Sequence, residues 1–148
     1  MNTVKNVLAS KGAQVWTISP DATVYDALTL MADKEIGAVV VADKSGKAIG
    51  ILSERDYARK VVLQGKVAKS THVKDIMTAS PISVRTDTSV DQCMGIMTDK
   101  RLRHLPVLDN SRLVGLISIG DLVKSVIAEQ RDQIQNLESY ISGSPGVP

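Results

Sequence analysis

The sequence predicts a mixed α/β (α+β) fold made of two β-α-β-β-α repeats packed about a pseudo-twofold axis. The first observation is that the chain states its main pattern twice: TISPDATVYDALTLMADKEIGAVVVADKSGKAIGILSERDY at 17–57 and SVRTDTSVDQCMGIMTDKRLRHLPVLDNSRLVGLISIGDL at 83–122. At an offset of 66, Asp21, Val24, Met31, Asp33, Lys34, Val41 and Asp43 fall on Asp87, Val90, Met97, Asp99, Lys100, Val107 and Asp109. One residue then drops out, and at 65 Gly50, Ser53 and Asp56 meet Gly115, Ser118 and Asp121. Unrelated segments of this length would share roughly two identities at average composition, so the match marks a duplication. The second observation is that helical and strand-like periodicities alternate in the same order in both copies. The third is physical: a unit this small cannot bury its apolar face alone, so the copies pack on each other and create two equivalent clefts.

Each element follows from local chemistry. Residues 15–18 read as a short strand, and Ser19-Pro20-Asp21 as a turn, because proline fixes φ and aspartate caps. Val24, Ala27, Leu28 and Met31 recur at helical spacing. The continuous apolar run 38–42 reads as a strand buried on both faces. Residues 43–47 form a hairpin-like turn into a strand at 48–52. Ser53 opens a helix to about Leu63, stopped by Gly65. The second copy predicts a strand at 82–85, a helix at 89–100 with Val90, Cys93, Met94 and Met97 inward, and strands at 105–108 and 113–117. A last helix runs from Ser118 to about Ile141.

Val4-Lys5-Asn6-Val7-Leu8 and Val73-Lys74-Asp75-Ile76-Met77 echo each other as single amphipathic turns leading into each repeat. The expected organisation is a first repeat with its lead-in at 1–66, with 64–71 linking the halves. The second repeat follows at 67–128, and an extended helix and tail at 129–148. Ile127, Ile134 and Ile141 lie seven apart, with Leu137 between the last two and Gln130 in the other seam position. This partial heptad stripe is consistent either with docking on its own domain or with a subunit contact. The tail at 142–148, rich in Gly, Pro and Ser, reads as disordered.

Composition narrows the function. Hydrophobic residues make up 43% of the chain, enough for a core, but aromatics only 3%, with no Phe. The formal charge is +2 with acids and bases interleaved. Single-stranded nucleic-acid binding needs stacking aromatics and a basic stripe, so it is disfavoured. One cysteine, Cys93, excludes an internal disulfide and reads as a buried inert thiol. His104 and His72 are too few to suggest a metal centre. Trp16 reads as a core or cleft-wall residue and Tyr25 as a packing residue. No apolar run approaches ~18 residues and the N-terminus lacks a signal-like apolar region. The expectation is a cytoplasmic protein with no membrane association.

The clearest chemical signal is Gly-apolar-apolar-Ser-x-x-Asp, present as Gly50 to Asp56 and again as Gly115 to Asp121. It sits where a strand ends and a helix begins. Free N–H groups and the positive helix end attract phosphate. A serine hydroxyl can donate to phosphate or sugar, and a carboxylate one turn on can accept from both hydroxyls of a ribose. Glycine lets a ligand or neighbouring backbone come close. Ser-x-x-Asp is also close to a capping box, in which serine merely caps the helix. No Gly-x-Gly-x-x-Gly or Walker-type loop is present, and no serine, histidine and acid arrangement suggests a triad.

These repeats resemble CBS domains, the small modules named after cystathionine β-synthase, and the chain resembles one stand-alone tandem pair over about 4–126. The resemblance rests on the Ser-Pro-Asp and Arg-Thr-Asp turns, the run Arg103-His104-Leu105-Pro106-Val107 and the two Gly-x-x-Ser-x-x-Asp segments. It implies a regulatory module, not an enzyme, binding adenosine-containing ligands such as AMP, ADP, ATP, NAD or S-adenosylmethionine between the halves. It also implies a homodimer and a downstream protein that reads the ligand-bound state. By the family's crossing pattern, one cleft would use Ser53, Arg55 and Asp56 with Thr78, Ile82, Arg103, His104 and Pro106. The other would use Ser118 and Asp121 with Thr17, Ile18, Gly37, Ala38 and Val39. Arg55 is matched by Gly120, and Arg103-His104 by Gly37-Ala38, so the second cleft is expected to favour an adenosine moiety or bind more weakly. The alternative is a structural or stress-related interaction module with degenerate clefts. Loss of an aspartate would mark it, and both are present.

Overall fold

Two lead-in helices decide how the halves are assembled. The structure, a computed structural model, describes residues 2–12 and 14–142. It opens with α1 (Val4–Lys11), followed by β1 (Thr17–Ile18), α2 (Val24–Lys34), β2 (Ala38–Ala42) and β3 (Ala48–Ser53). Next come α3 (Glu54–Tyr57), running on into a π turn (Ala58–Val62), a 3-10 turn (Ala68–Ser70), α4 (Val73–Ile76) and β4 (Thr78–Ala79). The second half holds α5 (Val90–Lys100), β5 (His104–Asp109), β6 (Arg112–Ser118) and α6 (Ile119–Ile141). The mixed α/β class read from the sequence is the one observed.

The duplicated residues build duplicated local structure. Thr23 accepts from the Asp26 N–H at 3.1 Å at the head of α2, and Ser89 from the Gln92 N–H at 3.0 Å at the head of α5. Each helix ends on a left-handed non-glycine residue, Glu35 and Arg101, both with φ 55°. The turn after β2 is made by Asp43, whose carboxylate accepts from the Ser45 hydroxyl and the Ser45 and Lys47 N–H groups. Those bonds, the Ser45 hydroxyl foremost, hold the Asp43 carboxyl below its usual value. The second turn drops a residue because Asp109 pairs directly with Arg112. Asn110 and Ser111 then both take positive φ, 49° and 66°, as a two-residue hairpin loop demands.

The first half carries a four-stranded sheet in the order β1-β2-β3-β4, with β1 parallel to β2 and the rest antiparallel. The second half carries the β5-β6 hairpin, plus a single parallel bridge from Val84 to Val107 where 82–85 was expected to form a strand. Its counterpart β1 is also short, two residues instead of the expected 15–18. The helix expected from Ser53 to Leu63 splits into α3 and the π turn before Gly65 (φ 67°) ends it.

Each half closes its core with a lead-in helix. Val73 and Ile76 of α4 join Val24, Ala27, Met31, Val39, Val41, Leu52 and Val61 in the first core. Val4, Val7 and Leu8 of α1 cross to the second half and join Val84, Val90, Cys93, Met97, Leu105, Val107, Ile117 and Leu122. The backbone joints match. Val73 N–H donates to Ala22 O at 2.8 Å and Lys74 N–H to Pro20 O at 3.0 Å; Val4 N–H donates to Thr88 O and Lys5 N–H to Thr86 O, both at 2.9 Å. The repeated glycines explain themselves here. A Cβ on Gly50 would lie 2.5 Å from Met77 Sδ, and one on Gly115 2.7 Å from Leu8 Cδ2. The glycine admits the lead-in side chain, the protein neighbour rather than a ligand.

The lead-ins differ in length, however: α4 is four residues, but α1 is eight and not the single turn expected. Cys93 is fully buried, and burial pushes its thiol up. Tyr25 is 48% exposed instead of packed, with Lys69 Nζ 4.8 Å from its ring centre. Trp16 is half-buried under Lys34 Nζ at 4.3 Å. Of the tail, residues 143–148 lie outside the described residues.

Because α1 completes a core far from it in sequence, we predict that Leu8→Ala destabilises the whole fold by about 2–5 kcal/mol, as buried leucine truncations do. Urea denaturation followed by circular dichroism checks this. A loss under about 0.5 kcal/mol would show that α1 is peripheral.

Candidate functional site

The junction of the halves holds a cavity of about 480 Å³. From the first half, Gly37, Ile51, Ser53, Glu54, Arg55, Asp56 and Arg59 line it. Thr78, Ser80, Pro81, Ile82, Arg101, Leu102, Arg103 and His104 line it from the connecting segment and the second half. Thr78 reaches the wall because β4 pairs with β3, setting Thr78 beside Ile51. Of the residues assigned to this cleft from sequence, Ser53, Arg55, Asp56, Thr78, Ile82, Arg103 and His104 are brought together. Pro106 is buried in β5 but does not reach the cavity wall.

Sequence reasoning missed Arg59 and Arg101. Arg59 lies one turn after Arg55, so the four-residue spacing was an available signal. Arg101 is delivered by the left-handed end of α5, which nothing in the sequence announces. Gly37, assigned to the other cleft, lines this one: β2 begins beside the end of β3, pairing Ala38 with Ser53.

Both Ser-x-x-Asp segments form capping boxes. Ser53 N–H donates to Asp56 Oδ2 at 2.9 Å, and Asp56 N–H donates to Ser53 Oγ at 3.2 Å. Glu54 N–H donates to Gly37 O at 3.0 Å. Three N–H groups at the helix start that the sequence offered to a phosphate are therefore committed within the protein. Positive charge in the cavity comes instead from Arg55, Arg59, Arg101 and Arg103, all exposed, none of which makes an ion pair among the described residues. Asp56 keeps capacity despite its cap. Its Oδ1 forms an ion pair with Lys60 Nζ at 3.2 Å, and a carboxylate offers about four lone-pair sites; its side chain is 16% exposed, much as that of Asp121 is at 17%. Burial holds the His104 imidazole below the usual histidine range. Lys11 and Arg103 push the same way and Asp121 opposes, so the ring is neutral at neutral pH.

The symmetry-related site is different. Lys11, at the end of the longer α1, donates to Asp121 Oδ2 and to Leu116 O, both at 2.6 Å. Leu116 corresponds to Ile51, the residue that β4 covers in the first half, so the lysine takes the edge that a strand occupies there. Ser118 N–H donates to the same carboxylate at 2.8 Å. Ala38 and Val39 are fully buried, Val39 in the first core. Ile18 packs against that core from its rim, while Thr17 is exposed on β1. Among the described residues no group of three or more His, Cys, Asp or Glu is arranged to hold a metal.

Burial alone would raise the Asp121 carboxyl, but the hydrogen bonds from Lys11 and Ser118 outweigh it and hold the group below its usual value. A carboxyl depressed in the folded state stabilises the protein above its unfolded value of about 3.9 and loses that stabilisation as pH falls through the folded value. We therefore predict that Lys11→Met costs on the order of 1 kcal/mol at pH 7, a cost that shrinks as pH falls through the depressed folded value of Asp121. Urea melts across pH check this; a deficit independent of pH would contradict it.

Comparison with known proteins places this arrangement. The CBS domain model matches residues 4–63 and 73–128. The chain is similar to the CBS domain-containing protein CBSX3, mitochondrial, of Arabidopsis thaliana, at 42% identity over 95% of this chain and 72% of that one. It is also similar to a solved structure with CBS domains from Burkholderia ambifaria, at 52% identity and TM-score 0.83, covering 87% of this chain and 96% of that one. A CBS domain protein from Pyrobaculum aerophilum, solved complexed with AMP, shares the fold at 24% identity and TM-score 0.73, over 81% of this chain and 89% of that one. Two matched repeats, exchanged lead-in helices and a cleft at their junction make the chain a member of the CBS domain family.

Proposed function

We propose that the chain is a regulatory module that binds an adenosine-containing nucleotide in the cleft between Asp56 and the second half. The observation that carries this is the four unpaired guanidiniums lining one cavity together with Ser53, Asp56 and Thr78. Guanidinium forks suit phosphate oxygens, and like charges lining one cavity gain from a bound anion. Asp56 accepts from the ribose hydroxyls. Ile51, Pro81, Ile82 and Leu102 give the apolar slot that a purine needs. The AMP bound by the Pyrobaculum aerophilum relative supports the same ligand class here. Binding then favours one relative orientation of the halves, which a partner protein reads.

In this reading only one cleft per chain takes nucleotide: Lys11 ties up both Asp121 and the Leu116 edge of the second, whereas Lys60, the partner of Asp56, leaves the equivalent Ile51 edge to Thr78. No helix among the described residues is long and apolar enough to cross a membrane, and the reading asks only for access to a nucleotide pool. The alternative, an interaction module with degenerate clefts, is the weaker reading because the Asp56 cleft is open and furnished.

Isothermal titration with AMP, ATP, NAD and adenosine tests the proposal. One site per chain is expected. Asp56→Ala should weaken every adenosine ligand about ten- to hundredfold, the worth of a hydrogen bond to a charged group. Arg55→Ala should weaken AMP about tenfold and leave adenosine unchanged, and Asp121→Ala should leave the stoichiometry at one. An Asp56→Ala protein that binds as tightly as wild type would rule out the ribose assignment.

A further inference from the structure

The last helix outgrows the domain that starts it. Ile119, Leu122 and Val126 seat the first two turns of α6 on the second core. Beyond them the helix runs on to Ile141 with almost every residue exposed. Its apolar side chains are among the most exposed in the chain: Ile134 is 54%, Leu137 61% and Ile141 82% exposed. Docking on its own domain, one of the two readings of the heptad stripe, is therefore not what the structure shows. A free helical arm of this length is marginal in water without a partner for its apolar face.

Val123, Ile127, Gln130, Ile134, Leu137 and Ile141 alternate in steps of four and three, the seam spacing of a two-stranded coil. We infer that this arm pairs with the same arm of a second copy, antiparallel, about a centre near Asp132. In that register Val123 meets Ile141, Ile127 meets Leu137 and Gln130 meets Ile134, each twice. The outer layers are then fully apolar, and the polar glutamine is confined to the middle. The flanking charges choose the direction. Antiparallel pairing sets Lys124 beside Glu138 of the partner subunit, twice, against one facing Arg131 pair at the centre. Parallel pairing would set Arg131 beside Val126 and Glu138 beside Gln133, with no opposite charges matched. The inference stands apart from the nucleotide reading, since none of these residues lines the cavity.

Sedimentation equilibrium on the full chain, with and without AMP, tests it. The wild type should run at twice the chain mass. Ile134→Glu should run at the chain mass while keeping its melting temperature within a few degrees, because that side chain supports neither core. Lys124→Glu and Glu138→Lys should each weaken the dimer, and the double variant should restore it. Residues 124 and 138 lie ~21 Å apart along one helix and cannot pair within a chain. A monomeric wild type, a dimer untouched by Ile134→Glu, or a double variant that fails to restore association would each overturn the inference.

Discussion

The docking of α1 onto the second half is the contact on which the rest depends. Two repeats that each closed their own core would be free to separate. Here the first helix of the chain completes the core furthest from it, and α4 completes the other. Gly50 and Gly115 are the seats that make this work. Each lets a long apolar side chain, Met77 or Leu8, lie flat on a strand where a Cβ would intrude. The halves are thus fixed against each other by burial, and a cleft between them has walls that hold their spacing.

Duplication supplies two such clefts, and the lead-ins make them unequal. The short α4 gives way to β4, which extends the first sheet and carries Thr78 to the cavity wall. The longer α1 keeps its helical course and ends in Lys11, whose ammonium replaces that strand and neutralises Asp121. Four extra residues of helix thereby divide two related aspartates. Asp56 pairs with Lys60 of its own helical segment and faces an arginine-rich cavity, and Asp121 pairs with Lys11, brought from the other end of the chain. Both remain helix caps, so the same carboxylate can stabilise the fold and, where it is open, accept from a ligand. A cap built into the helix start also holds the carboxylate in place before anything binds, which lowers the ordering cost of binding.

Much of this was legible in the sequence, because the repeat is written in residues whose roles are local. Thr23 and Ser89 cap, Asp43 builds its turn, and the run at 38–42 reads as a buried strand. What escaped was what depends on distance. Nothing near Val4 or Leu8 says which half they will join, since both cores offer the same glycine seat. Gly37 was assigned by the crossing rule, but β2 starts beside the end of β3 in its own half. Arg101 reaches the cavity only through a left-handed residue that sterics disfavour outside glycine. Lys11 gave no sign of meeting Asp121, because its position depends on how far α1 continues before it frays. The single-turn reading of that helix failed at the same point.

The most direct test of the account is a crystal structure grown with saturating AMP. The account predicts one nucleotide per chain, its ribose on Asp56 and its phosphate among Arg55, Arg59, Arg101 and Arg103, with Lys11 still bound to Asp121. Nucleotide seated on Asp121 with Lys11 displaced, or an empty cleft beside Asp56, would contradict it.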